Sequence, residues 1–247
     1  MLRSALLNVM IKAAHKAARA LKRDFGEVEH LQVSLKGPAN FVSAADHRAE
    51  EILCAELSAA RPGYGFLGEE GGRREGTDRT HTWIVDPLDG TSNFLHGIPH
   101  FAISIGLERE GAIVAGLVYN PVDDELFTAE RGKGAFLNDR RLRVAARQRL
   151  ADAVIACGLP HLGRGDLALN NRELAAVQPK VAGLRRFGAA ALDLAWVAAG
   201  SILVREAGGF VTDLDGADTP WISGDVVAGN ETMHRELTRL VNSAARP

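Results

Sequence analysis

Residues 83–93 read Trp-Ile-Val-Asp-Pro-Leu-Asp-Gly-Thr-Ser-Asn, and this stretch decides how the rest of the chain is understood. Three apolar, strand-forming residues, Trp83, Ile84 and Val85, deliver two carboxylates, Asp86 and Asp89, three positions apart. A glycine and two hydroxyl residues follow at once. Carboxylates held that close repel one another unless a cation lies between them. A small hydroxylated turn beside them suits a phosphate. Metal and phosphate at the end of one strand make a phosphatase-like arrangement.

Working outward, a second acidic cluster, Gly68-Glu69-Glu70-Gly71-Gly72, follows another apolar segment, Phe66-Leu67. Asp-Pro and Asp-Gly are common turn formers, and each cluster taken singly reads equally well as a turn. Their combination points to chemistry, because both close an apolar segment and one runs straight into Gly-Thr-Ser. Charge arithmetic narrows the cofactor. Glu69, Asp86 and Asp89 carry three negative charges, and a phosphate monoester adds about two more. Neither motif contains a Lys or Arg cluster to neutralise them. Two divalent ions bring the sum to about −1, and oxygen-only ligands favour Mg²⁺. A two-metal site clamps both the attacking and the leaving oxygen of a phosphoryl transfer.

The bulk of the chain is that of an ordinary soluble globular protein: 247 residues, 46% hydrophobic and 24% charged. A formal net charge of −2 gives no electrostatic case for nucleic acid or anionic membrane as a partner, and Arg140-Arg141 and Arg185-Arg186 read as solvated surface. Cys54 and Cys157 lie far apart with no CxxC spacing, so they read as buried free thiols. The N-terminus has no long apolar run and reads as neither signal peptide nor membrane span, which places the chain in the cytoplasm.

Residues 3–24 carry Leu6, Val9, Met10, Ala13, Ala17 and Leu21 at helical spacing. Residues 31–36 alternate as a short strand. Ser43 is placed to cap a helix from about Ala44 to Ala60, with Glu50 and Glu51 on its wet side. The stretch 73–80 is charged and turn-rich, a surface loop. Short strands follow at Thr82–Val85, Ala102–Leu107, Ile113–Tyr119 and Glu125–Ala129. Farther on, Ala153–Cys157, Phe210–Thr212 and Val226–Ala228 read as strands, and 166–178, 189–199 and 230–243 as helices. Interleaved elements imply mixed α/β layers. A boundary near 145–152 divides an N-terminal α+β part, 1–150, carrying the metal site, from a C-terminal α/β part, 151–247, contributing the substrate side, within one compact unit.

Other catalytic classes fit poorly. His96-Gly97 follows Leu95, so the Arg-His-Gly of histidine phosphatases is missing, and His96 and His100 read as ordinary packing or surface. Asp213-Leu214-Asp215-Gly216 looks like the nucleophile motif of haloacid dehalogenase-like phosphatases, but it lies too near the C-terminus and reads as a polar turn after a strand. Neither acidic motif has the alternate spacing of an EF-hand loop, and no GxxxxGK[ST] is present. Residues 158–165 read as a flexible loop.

Gly68-Glu69-Glu70 and the run from Trp83 to Phe94 closely resemble the inositol monophosphatase family, including its bacterial branch. The likeness extends through Lys36 with Val42-Ser43-Ala44-Ala45-Asp46, through Arg186-Phe187-Gly188-Ala189-Ala190-Ala191-Leu192-Asp193-Leu194, and through Glu206-Ala207-Gly208-Gly209 and Ala228-Gly229-Asn230. The resemblance implies a layered αβαβα sandwich, commonly a homodimer, that hydrolyses small phosphorylated polyols. Inositol monophosphate is the foremost substrate, with two or three Mg²⁺ ions and inhibition by lithium. Fructose 1,6-bisphosphate, histidinol phosphate and phosphoadenosine phosphate are alternative substrates within the class. Glu69, Asp86 and the Leu88 carbonyl are implied to hold the first ion, and Asp86 and Asp89 the second. Glu69 and Thr91 are implied to position and help deprotonate the attacking water, with Asp46 bonded to Thr91. Asp89, Gly90, Thr91, Ser92 and Ala190 are implied to line the substrate.

One departure stands out. The family normally carries a further strand-and-turn segment after the 189–199 helix, with a substrate-binding Glu and a Trp-Asp pair whose Asp completes the second metal site. It is missing before Ser201. If the chain truly lacks it, the expected protein is a catalytically weak member acting by binding or regulation. Alternatively, residues are omitted from the sequence as read. Close matches on both flanks favour omission, which predicts an adjacent Cα pair between Val197 and Leu203 much farther apart than about 3.8 Å.

Overall fold

The computed structural model describes residues 3–27, 33–35, 41–160, 165–197, 200–218 and 225–245. Helix α1 (Ala5–Phe25) starts where the Ser4 hydroxyl accepts the Leu7 N–H at 3.1 Å. Its apolar stripe, with Leu7, Met10, Ala14, Ala17 and Leu21 buried, follows the spacing read in the sequence. Strands β1 (Val33–Leu35) and β2 (Phe41–Ser43) form an antiparallel pair leading into α2 (Ala44–Ala60). The expectations for Lys36 and for the Ser43 side chain lie outside the described residues.

Eight strands form the main sheet: β3 (Tyr64–Gly68), β4 (Gly72–Arg74), β5 (Asp78–Asp89), β6 (Ala102–Arg109), β7 (Ala112–Asn120), β8 (Glu125–Glu130), β9 (Gly134–Leu137) and β10 (Arg140–Arg141). Their spatial order is β10-β9-β8-β7-β6-β5-β3-β4, and β3 with β5 is the parallel pair. The stretch 73–80 is therefore not simply a loop. Gly72–Arg74 pairs antiparallel with β3, and Asp78 already begins β5. Main-chain pairing at an edge tolerates charged side chains, which is how edge strands resist further association and why composition misread this one.

The second half interleaves β11 (Val154–Ala156), α4 (Leu167–Val177), β12 (Gly183–Arg185), α5 (Ala190–Val197), α6 (Gly200–Glu206), β13 (Phe210–Thr212), β14 (Val227–Gly229) and α7 (Glu231–Ala245), with a short helix α3 (Thr91–Leu95) earlier in the chain. Helix α3 follows β5 after the single residue Gly90. Buried side chains sort these elements into layers. The helices α1 and α2 cover one face of the main sheet through Met10, Leu21, Leu53, Leu57, Trp83, Ile103 and Ile105. The other face, through Val118, Phe127 and Ala129, meets Leu192 of α5 and Leu203 of α6. Beyond these lie two two-stranded sheets, β11 with β12 and β13 with β14, covered by α4 and α7 around Val177, Val227, Leu237 and Leu240. The order helix, sheet, helix, sheet, helix is the mixed α/β layered sandwich.

The Asp213–Gly216 segment is a turn after β13, closed by the Ala217 N–H donating to the Asp213 carboxylate at 2.7 Å. Cys54 is buried, whereas Cys157 is only half-buried because it sits just past the end of β11. Among the described residues no helix is long and apolar enough to cross a membrane.

Candidate active site

Parallel pairing of β3 with β5 assembles the acidic end of the sheet. Gly68 registers with Val85, so the next residue on each strand, Glu69 and Asp86, emerges at the same edge. On the other side β5 pairs with β6 through Asp86↔Ser104 and Asp89↔Ala102, with a bulge between them. A bulge bends and twists the strand, and here it re-aims the end that carries both aspartates.

The turn holding Glu69 is fixed from below. Glu50 of α2 is 4% exposed, and its carboxylate accepts the Glu70 N–H at 2.8 Å and the Gly71 N–H at 2.6 Å. This corrects its placement on the wet side of α2; Glu51 is the exposed one. The sequence did hold a signal, since Asp46, Glu50, Leu53 and Leu57 share one buried stripe at helical spacing.

Asp86 Oδ1 accepts the Leu88 N–H at 3.0 Å. The Asp89 carboxylate accepts the N–H groups of Ala190 at 3.2 Å and Ala191 at 2.7 Å, at the start of α5. Thr91 donates its hydroxyl to the Leu88 carbonyl at 2.9 Å and lies 3.5 Å from Asp46 Oδ2. Gly90 has φ 92°, and a Cβ there would meet the His100 carbonyl at 3.0 Å and Ala189 at 3.1 Å. Only glycine suits that backbone and that space. Ser92 is exposed, as is His96, whose Nδ1 lies 2.7 Å from the Ser92 carbonyl. Asn93 was not anticipated: its amide donates to the carbonyls of His100 and Phe187, both at 2.8 Å, tying the motif to the turn that enters α5.

Electrostatics record the crowding. Burial raises the Asp86 carboxyl well above the ordinary carboxylate range, and the charges of Asp89, Glu69 and Asp46 raise it further against the opposing Leu88 N–H. Burial pushes Asp89 up to about 6; the Ala191 and Ala190 N–H groups oppose this, while Asp193 and Glu69 add to it. Asp193 of α5, a further carboxylate at this site, is itself raised to about 6 by burial against the opposing Arg186.

These acids share one site without clasping a point. Among the described residues, no three Asp, Glu, His or Cys side chains are close enough to hold one ion. The donors are hard oxygens in a buried, over-negative setting, which fits a hard divalent cation.

A sign follows for stability without metal. An unfolded Asp ionises near 3.9, whereas folded Asp86 and Asp89 ionise higher, so folding disfavours their charged forms. Their contribution is fully present below the unfolded pKa and is lost as pH rises through the folded values. In EDTA, the melting temperature is expected to fall between about pH 4 and pH 7, and the stabilisation on adding Mg²⁺ is expected to grow over the same range. Differential scanning calorimetry with and without Mg²⁺ measures this; a pH-independent Mg²⁺ effect would contradict it.

A model of the inositol monophosphatase family matches residues 2–202. The chain belongs to this family. An inositol-1-monophosphatase from Mesorhizobium japonicum is 60% identical over 259 residues, covering 98% of this chain and 97% of the relative. A protein named Nus factor SuhB from Xylella fastidiosa is 38% identical over 262 residues, covering 96% and 94%. The crystal structure of extragenic suppressor protein suhB from Bartonella henselae superposes with a TM-score of 0.93 at 55% identity, covering 96% of this family member and 98% of that chain.

The match to the Mesorhizobium relative spans 259 positions, more than the 247 residues of this chain, so at least a dozen positions have no counterpart here. The sequence is numbered continuously from 1 to 247, and the expected wide Cα separation between Val197 and Leu203 falls on a span that is only partly described. The family match ends at residue 202, just past the junction of α5 and α6. Residues 198–199, within the span where a gap was expected, lie outside the described residues.

Proposed function

We propose that this chain is a Mg²⁺-dependent phosphatase of small phosphorylated polyols, with inositol monophosphate the foremost substrate, acting as a lithium-sensitive homodimer in the cytoplasm. The observation that carries the reading is the Asp86 carboxyl at the end of β5, raised first by its burial and then by the neighbouring carboxylates of Asp89, Glu69 and Asp46. Such a cluster is stable near neutral pH only with cations present. In this reading the 1–150 part supplies the metal side and the 151–247 part the substrate side.

Glu69, Asp86, Asp89 and the Leu88 carbonyl would hold the ions. Bound Mg²⁺ supplies Lewis acidity, acidifying water and neutralising the ester. The chain's own residues do the rest. Glu69, exposed at the rim, accepts a proton from the attacking water. Thr91, bonded to Leu88 and beside Asp46, orients that water. The turn at Gly90, Thr91 and Ser92 receives the phosphate, and Ala190 at the start of α5 abuts the ring of the polyol.

Phosphate release from a panel of small phosphomonoesters, with and without Mg²⁺, tests this. Turnover is expected with Mg²⁺, and with EDTA a fall of at least about 100-fold. A second reading, a catalytically weak member acting by binding or regulation, is favoured by one observation: the segment implied to carry a further metal-ligand Asp is absent. Lack of turnover on every substrate at saturating Mg²⁺ would decide for it, and the Nus factor name of the 38% identical relative gives it a direction.

A further inference from the structure

The far end of β5 carries a second feature of different character. A cavity of about 300 Å³ opens there, at the lower limit for small-molecule sites. Its apolar wall comes from Leu6, Leu107 and Val114, and three guanidinium groups, from Arg61, Arg109 and Arg131, also line it. Tyr64 and His81 complete the lining as a stacked pair, with ring centroids 4.4 Å apart and planes 6° from parallel.

The local charge is positive although the whole chain is at −2. Glu130 is the acidic group in the lining; its Oε1 pairs with Lys133 at 2.5 Å, while its Oε2 is buried without a hydrogen-bond partner among the described residues. His81 is turned toward Asp78, with Nδ1 2.9 Å from the carboxylate. Among the described residues, none of the three arginines forms an ion pair. Arg61 donates to the Ala60 carbonyl at 2.8 Å and Arg131 to the Ile113 carbonyl at 3.0 Å, which uses one donor of the five on each.

We propose that this cavity is a second, non-catalytic site for a small phosphorylated molecule with a flat ring. The ring extends the Tyr64–His81 stack, and the phosphate is held by Arg109 and Arg131 at the exposed mouth with Arg61 behind them. Guanidinium forks match phosphate oxygens two at a time, and aromatic stacks add to the binding of flat rings. The site is remote from the acidic cluster. His81 and Asp89 stand eight residues apart on one strand, about 25 Å at the rise of a strand.

Titration calorimetry with uridine 5′-monophosphate, inorganic phosphate and uridine tests this. It is run in EDTA, where the acidic cluster repels anions, so the readout does not depend on hydrolysis. One equivalent of the nucleotide is expected to bind, at least tenfold more tightly than phosphate, with uridine weaker than either. The double substitution Arg109→Ala, Arg131→Ala removes two exposed side chains and is expected to keep the melting temperature and the Mg²⁺-dependent turnover while weakening nucleotide binding at least tenfold. Tyr64→Leu is expected to weaken the nucleotide but not phosphate. Absence of nucleotide binding, binding no tighter than that of phosphate, or binding unchanged in the double variant would overturn the proposal.

Discussion

Replacing Asp89 by Asn is expected to lower Mg²⁺-dependent phosphate release by at least about 100-fold, more than is typical for a group that only supports a metal ligand. The fold is expected to survive. The Asn carbonyl still accepts the Ala191 N–H that Asp89 accepts at 2.7 Å, so the start of α5 keeps a cap. Removing one buried charge also relieves Asp86, whose carboxyl is raised partly by Asp89. The melting temperature in EDTA at neutral pH is therefore expected to stay level or rise, while the Mg²⁺-induced increase shrinks. Steady-state kinetics and calorimetry on the same preparation separate the two effects. Turnover within a few-fold of the parent chain would remove Asp89 from the chemistry and with it the two-ion reading.

Glu50→Ala is expected to have the largest effect on stability. The carboxylate is buried and accepts two main-chain N–H groups at 2.8 and 2.6 Å, so truncation leaves both donors without their acceptor. A donor orphaned where water cannot reach it costs about 1–3 kcal/mol, and with Glu70 half-buried and Gly71 exposed the pair comes to roughly 2–4 kcal/mol. For a chain of this size that corresponds to a loss of roughly 4–16 °C in melting temperature. Glu70 and Gly71 directly follow Glu69, so the freed turn is also expected to raise the Mg²⁺ concentration needed for half-maximal turnover. Glu50→Gln keeps one acceptor oxygen and is expected to fall between parent and Ala. An Ala variant with unaltered melting and Mg²⁺ dependence would show that the turn holds itself.

Much of this was legible in the sequence, for physical reasons that differ by element. The stripe of α1 and the Trp83–Asp89 strand end are local patterns, and local patterns survive into the fold. The partners of the acidic motif are not local. That Glu69 emerges beside Asp86 depends on parallel pairing of β3 with β5, which apolar runs alone do not reveal. The edge strand Gly72–Arg74 was hidden because its charged side chains suit solvent while its main chain pairs. Glu50 was misplaced because glutamate usually marks a wet face; its place on the stripe with Leu53 and Leu57 was the better guide. Asn93 joins residues nearly a hundred positions apart, a contact that no spacing within the motif encodes.

The twelve residues of β5 form a spacer between two opposite electrical environments, carboxylates beyond one end and guanidinium groups around the other. At physiological ionic strength, fields between exposed charges fade over about 8 Å, a third of the roughly 25 Å between His81 and Asp89. Anions arriving at the two ends would therefore scarcely sense each other through solvent. Any influence of one on the other must travel as a mechanical adjustment of the strand and of its neighbours β3 and β6.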